Sequence, residues 1–274
     1  MLFSAQPTPR NEESLSKKRG LVIRKRQLRH LAQVDRQAPL DGVRFAVIDL
    51  ETTGLHPRSG DAILAVGGVR IVQGRVHLRD RFFSYVNPER PIPPKTIRIH
   101  QIVPDMVEGA PKLGPVLRRF LSWCEGDVIV GHHVQIDLAF LDTGLKRWAG
   151  AHLLNPWVDV VRLAQVLAKA EHPSHRLQNL SLEHLATRYQ IPIDSRHTAL
   201  GDALTTAGIF LAQLKTLRGH GVSTLRGLLS LGGVRRSVRP WWQRLVLSKR
   251  GTLPFRTSPQ SLRRRSRRSN RDEH

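Results

Sequence analysis

Phe45-Ala46-Val47-Ile48-Asp49-Leu50-Glu51-Thr52-Thr53-Gly54 decides how this chain is read. Val43 to Ile48 is a nearly unbroken apolar run of the length of a buried strand. It ends in two carboxylates. Side chains alternate along a strand, so Asp49 and Glu51 point to the same side. Two like charges at that spacing repel unless a cation lies between them or one takes a proton. Thr52-Thr53-Gly54 turns the chain at once and leaves the pair at an open sheet end. Hard carboxylate oxygens of this kind suit Mg²⁺ or Mn²⁺ rather than zinc. An isolated D-x-E also fits a solvated strand end, so the surrounding sequence has to choose between the two.

The chain of 274 residues has room for one sizeable domain with appendages, and its 40% hydrophobic content is enough for a core. The formal net charge of +22 is unevenly placed. Residues 42–214 hold 19 Lys/Arg against 16 Asp/Glu, whereas residues 1–41 hold 9 against 4 and residues 215–274 hold 16 against 2. Basic flanks around a nearly balanced middle suit a polyanion: nucleic acid first, an anionic membrane second, with a merely solubilising tail as the alternative. Cys124 is the only cysteine, which excludes an internal disulfide and fits a reducing compartment. The first twenty residues hold no apolar run of signal-peptide length, and Glu12 and Glu13 argue against a transit peptide. No stretch approaches ~18 unbroken apolar residues. A cytoplasmic protein that does not enter the membrane is the expectation.

Residues 1–41 read as a basic N-terminal extension, disordered over 1–20. Over 21–37 a helix is predicted, with an apolar stripe of Leu21, Ile23, Leu28, Leu31 and Val34. Residues 42–217 read as the folded domain and residues 218–274 as a basic, largely disordered tail. Within the domain, strands over 43–50, 62–72 and 75–86 follow one another through short links and are predicted to be antiparallel neighbours. Short strands over 128–130 and 157–159 then alternate with helices over 113–123, 134–148, 160–169, 180–189 and 197–217. Strands in a run followed by alternating helices and strands describe a mixed α/β sheet of five strands flanked by helices.

Two further acidic sites join the opening pair. Val130-Gly131-His132-His133-Val134-Gln135-Ile136-Asp137 is a strand, a turn and a helix start, with Asp137 in the first helical turn. In His197-Thr198-Ala199-Leu200-Gly201-Asp202-Ala203, His197 precedes or opens a helix and Asp202 lies five residues on. That spacing is not one stacked helix face, so the two side chains are expected to do different jobs. With these residues the sequence resembles the DEDDh 3′–5′ exonucleases, the family of the proofreading epsilon subunit of bacterial DNA polymerase III, with RNase T and oligoribonuclease as relatives. The family pattern of D-x-E, G-H-N-x-x-F-D and H-x-x-x-x-D is met in order by Asp49 with Glu51, by Asp137, and by His197 with Asp202. The resemblance covers about 43–214. It departs from the pattern at His133, in place of Asn, and at Ile136, in place of Phe.

The resemblance implies an RNase H-like fold: three antiparallel strands plus short parallel ones. It implies Asp49, Glu51, Asp137 and Asp202 as ligands of two divalent ions, Mg²⁺ or Mn²⁺, with Asp49 bridging, and His197 as the base that takes a proton from the attacking water. It also implies substrate contacts at Thr52, Thr53, Gly54, His132 and His100, the last in a short helix bordering the terminal nucleotide. The implied reaction releases nucleoside 5′-monophosphates from a single-stranded DNA 3′ end, with RNA as the alternative polymer. A DNA polymerase or the sliding clamp are the protein partners to consider. Gln243-Arg244-Leu245-Val246-Leu247 loosely matches clamp-docking peptides, and Trp241-Trp242 is a candidate stacking pair in an otherwise basic tail. A rival reading makes that tail the working part, as a nucleic-acid-binding accessory module with little activity.

Overall fold

The computed structural model describes residues 9–233, apart from residues 175 and 194. The tryptophan pair, the clamp-like peptide and the Arg/Ser tail lie outside the described residues.

Five strands form one sheet: β1 (Phe45–Thr52), β2 (Ile63–Val72), β3 (Arg75–Tyr85), β4 (Val128–Gly131) and β5 (Trp157–Asp159), in the order β3-β2-β1-β4-β5. β1, β2 and β3 are antiparallel neighbours, and β4 and β5 continue parallel to β1 on its other side. This is the mixed five-stranded sheet expected from the sequence. The helices are α1 (Pro9–Gln33), α2 (Pro94–His100), α3 (Pro104–Glu108), α4 (Leu113–Trp123), α5 (Gln135–Ala149), α6 (Val160–Glu171), α7 (Leu182–Tyr189), α8 (Ala199–Gly219) and α9 (Leu225–Gly232).

Alternation along β1 sorts the core into two layers. Phe45 and Val47 join Val69, Ile71 and Val130 beneath α6 to α9, while Ala46 and Ile48 join Val66, Phe82 and Ile129 beneath α4 and α5. Phe45 meets Phe210 of α8 edge-on at 4.9 Å, and Phe82 meets Phe120 of α4 at 5.6 Å. Large apolar side chains buried this completely contribute about 1.5–3 kcal/mol each, as an upper bound. β1 is therefore fastened on both faces just before its two carboxylates. A buried polar cluster ties the sheet to α4 near the start of β1: Asp127 accepts from Arg70 Nε at 2.8 Å and Arg44 Nε at 2.9 Å, and Arg70 stacks over the Trp123 ring at 5.1 Å. A buried guanidinium paired this way escapes the penalty of an isolated charge.

The flanks differ from the sequence reading in two places. α1 begins at Pro9 rather than near residue 21, so residues 9–20 are helical and not disordered. Proline fits a first helical turn, where its missing N–H has no intrahelical partner to lose. The expected apolar stripe is only part of its docking face: Leu21 and Leu28 are about half exposed, whereas Val34, just past the helix, packs against the core. The helix is also held by Gly20, whose missing side chain lets it lie against the Ala149 carbonyl, by Arg19 over Trp148, and by Arg26 and His30 on Glu125. At the other end, α9 lies beyond the expected domain limit of 217, yet Leu225 and Leu228 enter the core layer of α6 and α8.

Gly67 of β2 pairs with Asp49, and a Cβ there would lie 2.2 Å from the Ala199 carbonyl carbon. The start of α8 rests directly on the sheet at that point. Both sides are backbone, so a methyl group can be admitted only by moving the helix. Gly67→Ala is expected to cost about 1–3 kcal/mol in urea unfolding. Gly109→Ala, with no atom within 4 Å of the added carbon, should leave the midpoint unchanged. Equal midpoints for the two variants would refute the close approach.

Candidate active site

The last residues of β1 carry Asp49 and Glu51 onto the face covered by α8. Asp202 stands in the first turn of α8, and Thr198 caps that helix by accepting from the Gly201 N–H at 3.1 Å. One carboxylate oxygen from each of Asp49, Glu51 and Asp202 lies within 4.8 Å of the others. Asp137, in the first turn of α5, is buried beside them but outside this tight group. The backbone N–H groups of Asp137 and Leu50 lie near enough to its carboxylate to favour the ionised form, against the larger effect of burial. His197 sits just before the cap with φ +61°, close enough to Asp202 to favour its ionised carboxylate.

Burial above all, and then the charges of Asp137, Asp202 and Glu51, hold Asp49 well above the usual carboxylate range. Burial and then Asp202 push Glu51 up to about 7. Burial raises Asp137 and Asp202 as well. Four carboxyls that resist ionising together form a site in want of positive charge. Part of that charge is supplied by Arg196, whose guanidinium donates to Asp202 Oδ2 and to Glu183 Oε1. Asp202 Oδ1 is buried with no hydrogen-bond partner. An all-oxygen donor set, an orphaned carboxylate oxygen and a guanidinium already seated on its twin fit a divalent cation.

The other expected site residues divide. Thr52 Oγ1 donates to the Gly54 carbonyl at 2.6 Å, and Thr53 Oγ1, buried, accepts from the Ala62 N–H at 2.9 Å. A Cβ on Gly54 would lie 2.3 Å from the Asp61 carboxylate. These three shape the turn that ends β1. His132 Nε2 donates to the Leu180 carbonyl at 2.7 Å, and burial pushes its pKa down to about 4, so the neutral ring ties the start of α5 to the segment before α7. His100 is buried on α2. Its Nδ1 accepts from the Ile102 N–H at 3.0 Å, which leaves Nε2 as a buried donor without a partner. Burial, and then the charge of His197, lower its pKa. His133 has φ +50°, a left-handed conformation that asparagine adopts more readily than most side chains. Its exposed ring packs edge-on against His132 at 4.6 Å and is no part of the acidic group.

Sequence reasoning missed Arg196 and Gly67. A glycine inside an apolar strand does signal close backbone approach, and Arg196 directly precedes His197 in the sequence.

Residues 46–210 match the exonuclease family of RNase T. The chain belongs to that family. It is 40% identical over 194 residues to the DNA polymerase III subunit epsilon-like protein of Rhodobacter capsulatus, covering 71% of this chain and 27% of that protein. It is 30% identical over 212 residues to the PolC-type DNA polymerase III of Lacticaseibacillus paracasei, covering 76% of this chain and 14% of that one. The chain thus spans under a third of the length of these curated relatives. Among solved structures, Escherichia coli exonuclease I in complex with a dA16 oligonucleotide superposes with a TM-score of 0.56 at 20% identity, over 65% of this chain and 42% of that one, which shows the same fold. The exonuclease domain of this chain therefore carries its acidic group at the open end of an RNase H-like sheet. Among the described residues no helix is long and apolar enough to cross a membrane.

A sign follows for pH. Glu51 binds its proton more tightly folded than unfolded, so its contribution to stability is full below the unfolded pKa and disappears as pH rises through about 7. The raised neighbours act in the same direction. Melting in EDTA should therefore fall as pH rises from about 5 to about 8. Mg²⁺ or Mn²⁺ should restore more stability at the upper end than at the lower, and Glu51→Gln should flatten the slope. A pH-independent melting temperature in EDTA would contradict the assignment.

Proposed function

We propose that this protein is a metal-dependent 3′–5′ exonuclease that releases nucleoside 5′-monophosphates from DNA ends. The observation that carries the reading is the meeting of Asp49, Glu51 and Asp202 oxygens within 4.8 Å, beside His197. Asp49, Glu51 and Asp202 would hold one divalent ion, Mg²⁺ or Mn²⁺, and Asp137 with Asp49 would hold a second. Bound cations in such a pair supply charge neutralisation and Lewis acidity at the attacking and leaving oxygens.

The chain's own groups do the rest. His197 sits where the backbone leaves the loop for α8, and a ring nitrogen there takes the proton as a water oxygen bonds to phosphorus. The bond from phosphorus to the 3′ oxygen breaks, and the phosphate stays on the released nucleotide. Imidazole is the side chain most often used to move a proton in such a step. In this reading the unpartnered Nε2–H of His100 is the donor to the terminal nucleotide, reached when the substrate displaces what covers it. Thr52, Thr53 and Gly54 act by fixing the turn that aims Glu51.

DNA as substrate is supported by the polymerase III names of the relatives and by the oligonucleotide complex of exonuclease I. The basic segments at the two ends of the chain, residues 1–41 and 215–274, retain the polyanion electrostatically. A polymerase or clamp partner and a cytoplasmic setting complete the reading.

Digestion of 3′- and 5′-labelled single-stranded DNA, duplex DNA and RNA in Mg²⁺ tests it. Loss of the 3′ label first, faster on DNA than on RNA, is expected. His197→Ala should lose about 10²–10⁴-fold in turnover while keeping metal binding, and Asp49→Ala should lose both. Full turnover by His197→Ala would remove the base assignment, and digestion from the 5′ end would remove the polarity.

A further inference from the structure

Arg196 stands between a carboxylate of the acidic group and one outside it. Its Nη1 donates to Asp202 Oδ2, and its Nε donates to Glu183 Oε1 at 2.5 Å. Glu183 lies in the first turn of α7, about half exposed, and is not among the clustered acids. The guanidinium also draws down the pKa values of Asp49, Glu51 and Asp202. One cation therefore serves three acids that no other side chain in hydrogen-bond contact neutralises. The residues on either side of it, Ser195 and His197, hold φ values of +53° and +61°. For residues other than glycine that conformation is unfavourable and persists only where the surroundings impose it. The two hydrogen bonds of Arg196 help to anchor this short loop between α7 and α8, together with the donation of Thr198 Oγ1 to the Ser195 carbonyl at 2.6 Å.

We propose that Arg196 is the resident counter-cation of the catalytic centre, displaced from Asp202 when a divalent cation binds and retained by Glu183. The inference rests on the reading of the acidic group as a metal site. Without metal, Arg196 offsets part of the negative charge and holds the Asp202 carboxylate in place. A divalent cation carries more charge to the same oxygens, and two cations close together in a buried setting repel. The guanidinium then swings off Asp202 while its second hydrogen bond persists. Because His197 is the next residue, the same movement changes the placement of its ring. Arg196 is thus a positioning residue that lowers the affinity of the centre for metal.

The test is calorimetric titration of the full-length protein with Mn²⁺ alone, on wild type, Arg196→Gln and Glu183→Gln, with melting curves in EDTA alongside. Arg196→Gln should bind Mn²⁺ about tenfold more tightly, the scale of one charge-assisted hydrogen bond. It should also melt lower than wild type in EDTA and draw level in saturating Mn²⁺. Glu183→Gln, a surface change that leaves Asp202 as the only charged anchor in hydrogen-bond contact with the guanidinium, should bind Mn²⁺ several-fold more weakly. Opposite shifts in the two variants are not expected of a residue that merely supports the fold. Unchanged or weaker binding by Arg196→Gln overturns the proposal, as does unchanged or tighter binding by Glu183→Gln. Absence of Mn²⁺ binding by wild type would instead defeat the metal reading itself, and this inference with it.

Discussion

Repulsion among carboxylates crowded at the end of β1 is the constraint on which the rest of the structure depends. Two unit charges 4.8 Å apart at an effective dielectric constant of ~20 repel by roughly 3.5 kcal/mol. Three such acids, with Asp137 close behind, pull against the packing that brings them together. Phe45 to Ile48, almost wholly buried on both faces of the sheet, supply the opposing force, and the magnitudes are comparable. The fold can hold the acids in place, but it cannot make them ionise together. Burial first raises all four in pKa, repulsion adds to it at Asp49, Glu51 and Asp137, and Arg196 offsets part of that charge.

The sheet topology explains how acids so distant in sequence come to share one point. β1 is the strand at which pairing changes from antiparallel, with β2, to parallel, with β4. The parallel neighbour stops at Gly131, and the chain leaves it to begin α5, which delivers Asp137 to the same end. On the other face, α8 reaches the sheet because Gly67 offers no side chain, and its first turn delivers Asp202. Glu51 owes its aim to the turn locked by Thr53 and Asp61.

Much of this was legible in the sequence. The apolar run before Asp49, the hairpin-like spacing of β2 and β3, and the helix starts at Asp137 and Asp202 follow from periodicity and turn chemistry. The backbone roles were less so. Thr53, Gly54 and His132 sit in motifs that touch the site, yet their hydrogen bonds run to Ala62, to the Asp61 turn and to Leu180, partners that only the fold brings near. The strain at His133 was hidden for the same reason, since a φ value is set by the turn and not by the residue. α1 misled because much of its hold on the domain comes from a glycine and from cations, which periodicity cannot detect. Arg196 was passed over as one more basic residue in a basic chain. Its meaning depends on Glu183 and Asp202 lying on either side of it.

The central claim is that Asp49, Glu51 and Asp202 converge in order to hold a cation. Anomalous diffraction from crystals of the protein grown with Mn²⁺ addresses it most directly. The account predicts a manganese peak bounded by oxygens of those three residues, with Asp137 facing a second position and the Arg196 guanidinium moved off Asp202. A map with manganese elsewhere, or with Arg196 still bound to Asp202 and no metal between the acids, would contradict it.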